Sequence, residues 1–309
     1  VSLTRRNWLI LTGTVVAAFT LLGFFGREVY RQAPPLPDRV TTPDGTLLAS
    51  RETILDGQQV WQSTGGQEMG SIWGHGAYQA PDWSADWLHR EALALLDIWA
   101  MQETGRAYAD LNPEAQAGLR ERLHRELRAN TYDPATGTLT VSEDRARAIE
   151  TTAAHYRALF GGDPALHQLR QAYAMQDGAV RDPVRLEALT DFFFWTSWAC
   201  ATDRPGMNIT YTNNWPHEPL IGNRPTGANV LWTLVSVVIL LAGIGALVWW
   251  RAFRSAPEGA VEPPREDPLG RITLTPSMKA VSKYLGVVVG LFGLQVLLGA
   301  LTAHYTVEG

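Results

Sequence analysis

Cysteine is nearly absent. Cys200 is the single thiol in 309 residues, which excludes an internal disulfide and a cysteine-rich zinc site. Its apolar setting beside Trp198 reads as a buried, inert thiol rather than a nucleophile. Positive charge is short too. The 26 Lys and Arg against 31 Asp and Glu leave a formal charge of −5, which removes the electrostatic basis for a nucleic-acid partner. The seven histidines are His75, His89, His124, His155, His167, His217 and His304. No two lie three or four residues apart, and no His-Glu-x-x-His occurs, so no helical zinc pair is encoded. His124, His155 and His167 fall on charged or mixed stretches and read as surface residues. A nucleophile elbow, a P-loop and a dinucleotide fingerprint are missing as well. There is no internal repeat and no low-complexity linker.

Uninterrupted apolar sequence, by contrast, is plentiful. Trp8–Phe25 holds 18 residues without a charge, against the roughly 20 needed to cross a bilayer. It is long for a signal-peptide core, and no small-x-small cleavage site follows before Arg27 and Arg31, so it reads as an uncleaved anchor. Val230–Trp250 is a second run and about Leu285–Ala303 a third. Arg5 and Arg6 precede the first, Arg251 and Arg254 follow the second, and Lys279 and Lys283 precede the third. The positive-inside rule then places the N-terminus in the cytoplasm, with Arg27 and Arg31 a minor dissent. The expected architecture is a mainly α membrane protein with three transmembrane helices. It comprises an anchor (1–26), an extracytoplasmic domain (27–229), a second membrane helix (230–250), an inner loop (251–283) and a third membrane helix (284–309). Several of the 12 tryptophans are expected at the lipid boundary. The chain stops soon after the third run, which fits a piece of a larger protein better than a finished tail.

The outer domain reads as helical. Asn112-Pro113, Asp163-Pro164 and Asp182-Pro183 each place a capping side chain before a proline suited to the first helical position. Ser142 opens another helix, and Ser84 or Asp82 caps one on which Trp87, Ala94, Leu95, Ile98 and Met101 share a face. Thr42–Thr46, "TPDGT", predicts a turn in one small hairpin. "LTDFFFWTSWACATDRPG", 189–206, is too short to span a membrane and reads as a core helix or one lying on the bilayer surface. The segment 207–227 is expected to be extended, with Tyr211 and Trp215 near the headgroups.

At the end of the third run, "LLGALTAHYTVEG" sets His304 and Glu308 four residues apart, on one face if the helix continues. Titratable groups at membrane depth point to function. The alternatives are a snorkelling interfacial pair and a quinol site. In the second, the imidazole takes a quinol proton and the carboxylate passes it to outer water. Gln295, inside the same run, needs an interhelical partner.

Three stretches together resemble the quinol-dependent nitric oxide reductases. They are "GQQVWQSTGGQEMGSIWGHGAYQAPDWSADWLHREAL", "NNWPHEPLIGNRPTGANVLW" and "LGALTAHYTVEG". In that family, an N-terminal extension similar to a small cytochrome c subunit is fused to a haem–copper-oxidase-like catalytic core. The resemblance implies a helical, cytochrome c-like outer domain. It places "GQEMG", Gly66–Gly70, where relatives carry a C-x-x-C-H haem attachment. Both thioether cysteines and the axial histidine are missing there, and His75 lies downstream, so no covalent haem is expected. The same resemblance implies His304 and Glu308 for the quinol site and Gly76 and Tyr78 for a calcium ion near the haem propionates.

The histidines that hold haem b, haem b3 and the non-haem iron in the family lie on later helices. The resemblance therefore implies that this chain alone binds no cofactor and reduces no nitric oxide. It would be the N-terminal part of an inner-membrane oxidoreductase, with quinol, the bilayer and the rest of the catalytic subunit as partners, and a homodimer left open. The alternative is a non-enzymatic docking or assembly subunit for a separate catalytic chain. An extracytoplasmic sensor is disfavoured, because the inner segment is too short for a signalling domain.

Overall fold

The computed structural model describes residues 3–74, 77, 79–225, 227–254 and 276–305, and it divides into two units, Val1–Pro225 and Thr226–Gly309. In the first unit, α1 (Leu3–Gln32) continues past the apolar run to Gln32. Among the described residues, its Arg5–Gln32 stretch is the one helix long and apolar enough to cross a membrane by length and composition.

Strands β1 (Arg39–Thr41) and β2 (Leu47–Ser50) flank the expected turn. The Asp44 carboxylate accepts from the Thr46 amide at 3.1 Å and Gly45 takes φ +89°, a left-handed value that favours glycine. The sheet is larger than one hairpin. After β3 (Tyr132–Asp133) and β4 (Thr138–Thr140), β4 pairs with β1 in parallel, and the order is β2-β1-β4-β3. Strands of two to four residues carry too little alternation to be read in advance.

Helices build the rest: α2 (Arg51–Ser63), α3 (Trp83–Thr104), α4 (Pro113–Arg128), α5 (Glu143–Gly161), α6 (His167–Ala172) and α7 (Pro183–Ala201). The capping residues act as expected. Asn112, Ser142 and Asp182 each accept from the first turn of the following helix, and Asp163 caps a short 3-10 turn that runs into α6. Asp82, not Ser84, caps α3. Ser50 caps α2 through a reciprocal box with Thr53. Helices α2 and α7 meet at near backbone contact. A Cβ on Gly57 would overlap the Ala188 carbonyl, so only glycine permits this approach.

The core has two parts. One gathers Trp61, Trp83, Trp87, Tyr156, Phe160, Phe192, Phe193 and Trp198, and the other Leu88, Leu95, Leu96, Trp99, Leu119, Leu123 and Leu127. Helix α7 supplies much of the first, so the 189–206 stretch is a core helix, and Cys200 within it is fully buried. Burial also raises the Cys200 thiol pKa far above its ordinary value, consistent with an inert group.

Trp61, Trp83, Trp87, Trp99 and Trp198 are buried in the domain, where large aromatics gain most from burial. Three expectations need correction. On α3 the buried face runs through Trp87, Leu88, Glu91, Ala92, Leu95, Leu96 and Trp99, and Met101 is exposed. The 207–225 segment is not extended. It folds in turns, with the Tyr211 ring 5.6 Å from Trp198 and its hydroxyl accepting from the Asn130 amide, while Trp215 packs on the second cluster. Of the three histidines read as surface residues, His167 is exposed and pairs with Asp177. His124 and His155 are half-buried, and His155 Nε2 finds no partner.

In the second unit, α8 (Gly227–Arg254) and α9 (Pro276–Tyr305) cover the second and third apolar runs. Within α8 the described apolar stretch is Leu234–Trp250.

Candidate functional site

The Gly66–Gly70 segment, expected to stand where relatives carry a haem attachment, is built by glycine. After α2, Gly65, Gly66 and Gly70 all take positive φ and bracket a 3-10 turn over Gly66–Met69. The Trp61 indole donates to the Gly70 carbonyl at 3.1 Å. A Cβ on Gly70 would collide with the Trp83 ring. Trp83 is completely buried, stacked on Phe193 at 5.9 Å, with Phe160 edge-on at 5.3 Å and Tyr156 and Tyr173 at 6.0 Å. Its Nε1 has no hydrogen-bond partner. The Gly70 end of this turn is thus packed against aromatic rings, while Gly65, Glu68 and Met69 line an open cavity of about 530 Å³ together with Gln79 and Tyr173.

The next loop is closed at its base by one carboxylate. Asp82 Oδ2 accepts from the Ser71 hydroxyl at 2.8 Å and the Gly74 amide at 2.7 Å. Its Oδ1 accepts from the Ser84 and Ala85 amides at 3.0 and 3.1 Å and from the Ser84 hydroxyl. The Ser84 hydroxyl oxygen in turn accepts from the Trp73 amide at 3.1 Å, and the Trp73 indole donates to the Thr196 carbonyl. Five donors occupy Asp82, so it organises the loop and keeps little capacity for a cation. The tip carries His75, Gly76 and Tyr78, which lie outside the described residues. His304 falls in α9 with its side chain not described, and Glu308 lies outside the described residues. Among the described residues no group of three His, Cys, Asp or Glu side chains could hold a metal ion.

Two polar centres escaped the sequence. One is the fastening of the segment after α7 by Arg128, whose partners are 80 to 95 residues away in sequence. The other is Asp191 on α7, beside a cavity of about 70 Å³ lined also by Trp87, Arg157, Glu187 and Phe194. Burial pushes its carboxyl up to about 7, only partly opposed by a contact to Thr53, and Glu187 adds repulsion. The folded state therefore holds a proton that the unfolded chain has released, and stability falls as pH rises from about 4 to about 7. Asp191→Asn is expected to flatten that slope and to stabilise the domain at pH 8 by about 2–4 kcal/mol, with little gain at pH 4. Urea unfolding across this pH range checks it; a parallel slope in the variant would remove Asp191 from the account.

Comparison with known proteins bears on this arrangement. No match to a curated protein is found. The family model for the cytochrome c-like domain of the NorB subunit of nitric oxide reductase matches residues 37–217, more than half of the 309 residues. That range holds α2 to α7, the glycine-built turn and the Asp82 loop. The chain belongs to the NorB family of nitric oxide reductase subunits, with residues 37–217 as its cytochrome c-like domain.

Proposed function

We propose that this chain forms the outer domain and the electron-entry end of a membrane enzyme that reduces nitric oxide to nitrous oxide with electrons from quinol. One quinol would supply two electrons and two protons, converting two nitric oxide molecules into one nitrous oxide and one water. The observation that carries the reading is the make-up of Gly66–Gly70, which offers neither a thioether sulfur nor an imidazole, so these residues do not fit a covalently attached haem. Trp83 packs against the Gly70 end of the turn. A domain without that haem relays no electrons from a soluble cytochrome. Electrons then enter elsewhere, and His304 and Glu308 are the titratable pair suited to take up quinol protons on the outer side.

In this reading α1, α8 and α9 cross the inner membrane with the N-terminus in the cytoplasm and the cytochrome c-like domain outside. Haem b, haem b3 and non-haem iron belong to the rest of the catalytic subunit, and Gly76 and Tyr78 join it in holding calcium. The test uses the whole enzyme. His304→Ala with Glu308→Ala is expected to cut quinol-driven turnover by at least ~100-fold, the usual range for a positioned proton acceptor. Turnover with an artificial donor that bypasses quinol should survive. Normal quinol-driven turnover in the double variant would overturn the site.

A further inference from the structure

We infer that Arg204 binds the phosphate of an anionic phospholipid headgroup where the outer domain meets the end of α1. The inference rests on the reading of α1 as a membrane anchor. The arginines of the outer domain that are buried or half-buried are Arg90, Arg128, Arg145, Arg157, Arg170 and Arg204. The first five each face a carboxylate within 4 Å: Asp86, Asp203, Glu91, Glu150 and Asp177. Among the described residues, Arg204 pairs with none. Its terminal nitrogens donate to the Gln32 side-chain oxygen and the Tyr211 carbonyl, both at 2.8 Å, and both neutral. Its buried Nε has no partner. Burial costs this guanidinium part of its hydration and no acid restores the loss, so its pKa falls below the ordinary arginine value. Each terminal nitrogen keeps a second N–H, and a guanidinium matches a phosphate better than any other side chain does.

Position selects the source of that phosphate. The apolar run of α1 ends at Phe25, and the helix continues to Gln32. At 1.5 Å per residue, Gln32 stands roughly 10 Å beyond the apolar boundary and Arg27 roughly 3 Å beyond it. The headgroup layer on each side of a bilayer is about 5–8 Å deep. Arg27 therefore lies within that layer, and the Gln32–Arg204 contact stands roughly 2–5 Å above it, within the reach of an arginine side chain. Arg31, by contrast, is engaged by Glu28 at 3.4 Å. The two arginines at the outer end of α1, which count against the positive-inside rule, acquire a reason to be there: one pairs with its own helix and the other faces lipid.

The test reconstitutes the full chain in nanodiscs of phosphatidylcholine, alone or mixed with phosphatidylglycerol. Phosphatidylglycerol is expected to raise the unfolding midpoint of the outer domain by about 2–4 °C, the shift due to one interfacial arginine contact in a domain of this size. Arg204→Gln, which keeps donors for Gln32 and Tyr211, should lose that shift, and Arg204→Lys should keep part of it. Inorganic phosphate added to the phosphatidylcholine sample should leave the midpoint unchanged. An equal shift in Arg204→Gln, or a shift produced by free phosphate, overturns the headgroup site. Flotation with vesicles after an alkaline wash reports the anchor separately. A chain that floats without a phosphatidylglycerol shift refutes this inference alone, and one that does not float refutes the anchor reading and the inference with it.

Discussion

Replacing Trp83 with alanine is expected to lower the unfolding free energy of the cytochrome c-like domain by about 3–5 kcal/mol, the range for truncating a fully buried large aromatic. The side chain is completely buried and contacts four aromatic rings as well as the Gly70 backbone. Helices α5 and α7 and the glycine-built turn all lean on it, so the vacated space cannot collapse from one side alone. Trp83→Phe should cost much less. The indole nitrogen has no partner, so that change removes volume without breaking a hydrogen bond. Urea unfolding monitored by circular dichroism gives both values. A loss below about 1 kcal/mol for the alanine variant would mean that the ring does not fill the space beside Gly70. It would also reopen that space to a cofactor, so this measurement bears on function as well as stability.

What the sequence made legible follows from the range of each interaction. Helix starts are local. An Asn, Asp or Ser before Pro or Glu acts on amides two or three residues away, and Asn112, Ser142 and Asp182 cap their helices as read. The apolar character of α7 was legible from the aromatic run Phe192–Trp195 with Trp198, but whether those rings meet a core or a bilayer surface was not. The parallel pairing of β1 with β4 was not, since about a hundred residues separate strands of three residues each. Tyr211 and Trp215 were misplaced because an aromatic in a polar segment has the same local pattern at a lipid surface and against its own domain. Only the Trp198 ring and the Asn130 amide, both distant in sequence, distinguish the two. That the chain cannot form a pair of thioether bonds was plain from composition, since it has one cysteine. That Trp83 packs against Gly70 was not, because the residue sits thirteen positions further on, at the start of the next helix.

Arg128→Met is expected to destabilise the cytochrome c-like domain by about 3–5 kcal/mol, the cost of leaving buried polar partners of a charge without it. Arg128 closes the last turn of α4 and is itself buried. It donates to Asn223 Oδ1 at 2.8 Å, to the Asn208 carbonyl at 2.9 Å and to Asn214 Oδ1 at 3.3 Å, and it pairs with Asp203. Asn223, wholly buried, passes the restraint on by donating to the Cys200 carbonyl at 2.8 Å. Its backbone pairs with Glu218, whose buried carboxylate meets His89 Nδ1 at 2.9 Å and the Leu220 amide at 3.0 Å. One guanidinium thus fastens the strap between α7 and Pro225, beyond which the chain continues into α8. Methionine fills similar space and satisfies none of these acceptors. Lysine, with a single ammonium, can reach some but not all of them, so Arg128→Lys should fall between the two. Hydrogen exchange separates this account from a general loss of stability. Amides of 203–223 should lose protection in Arg128→Met well before those of α2 and of the part of α7 that packs on it at Ala188 and Phe192 through Gly57. If protection instead falls evenly across the domain, the strap is not an independently fastened element. Its registration ahead of α8 would then depend on the core as a whole rather than on Arg128.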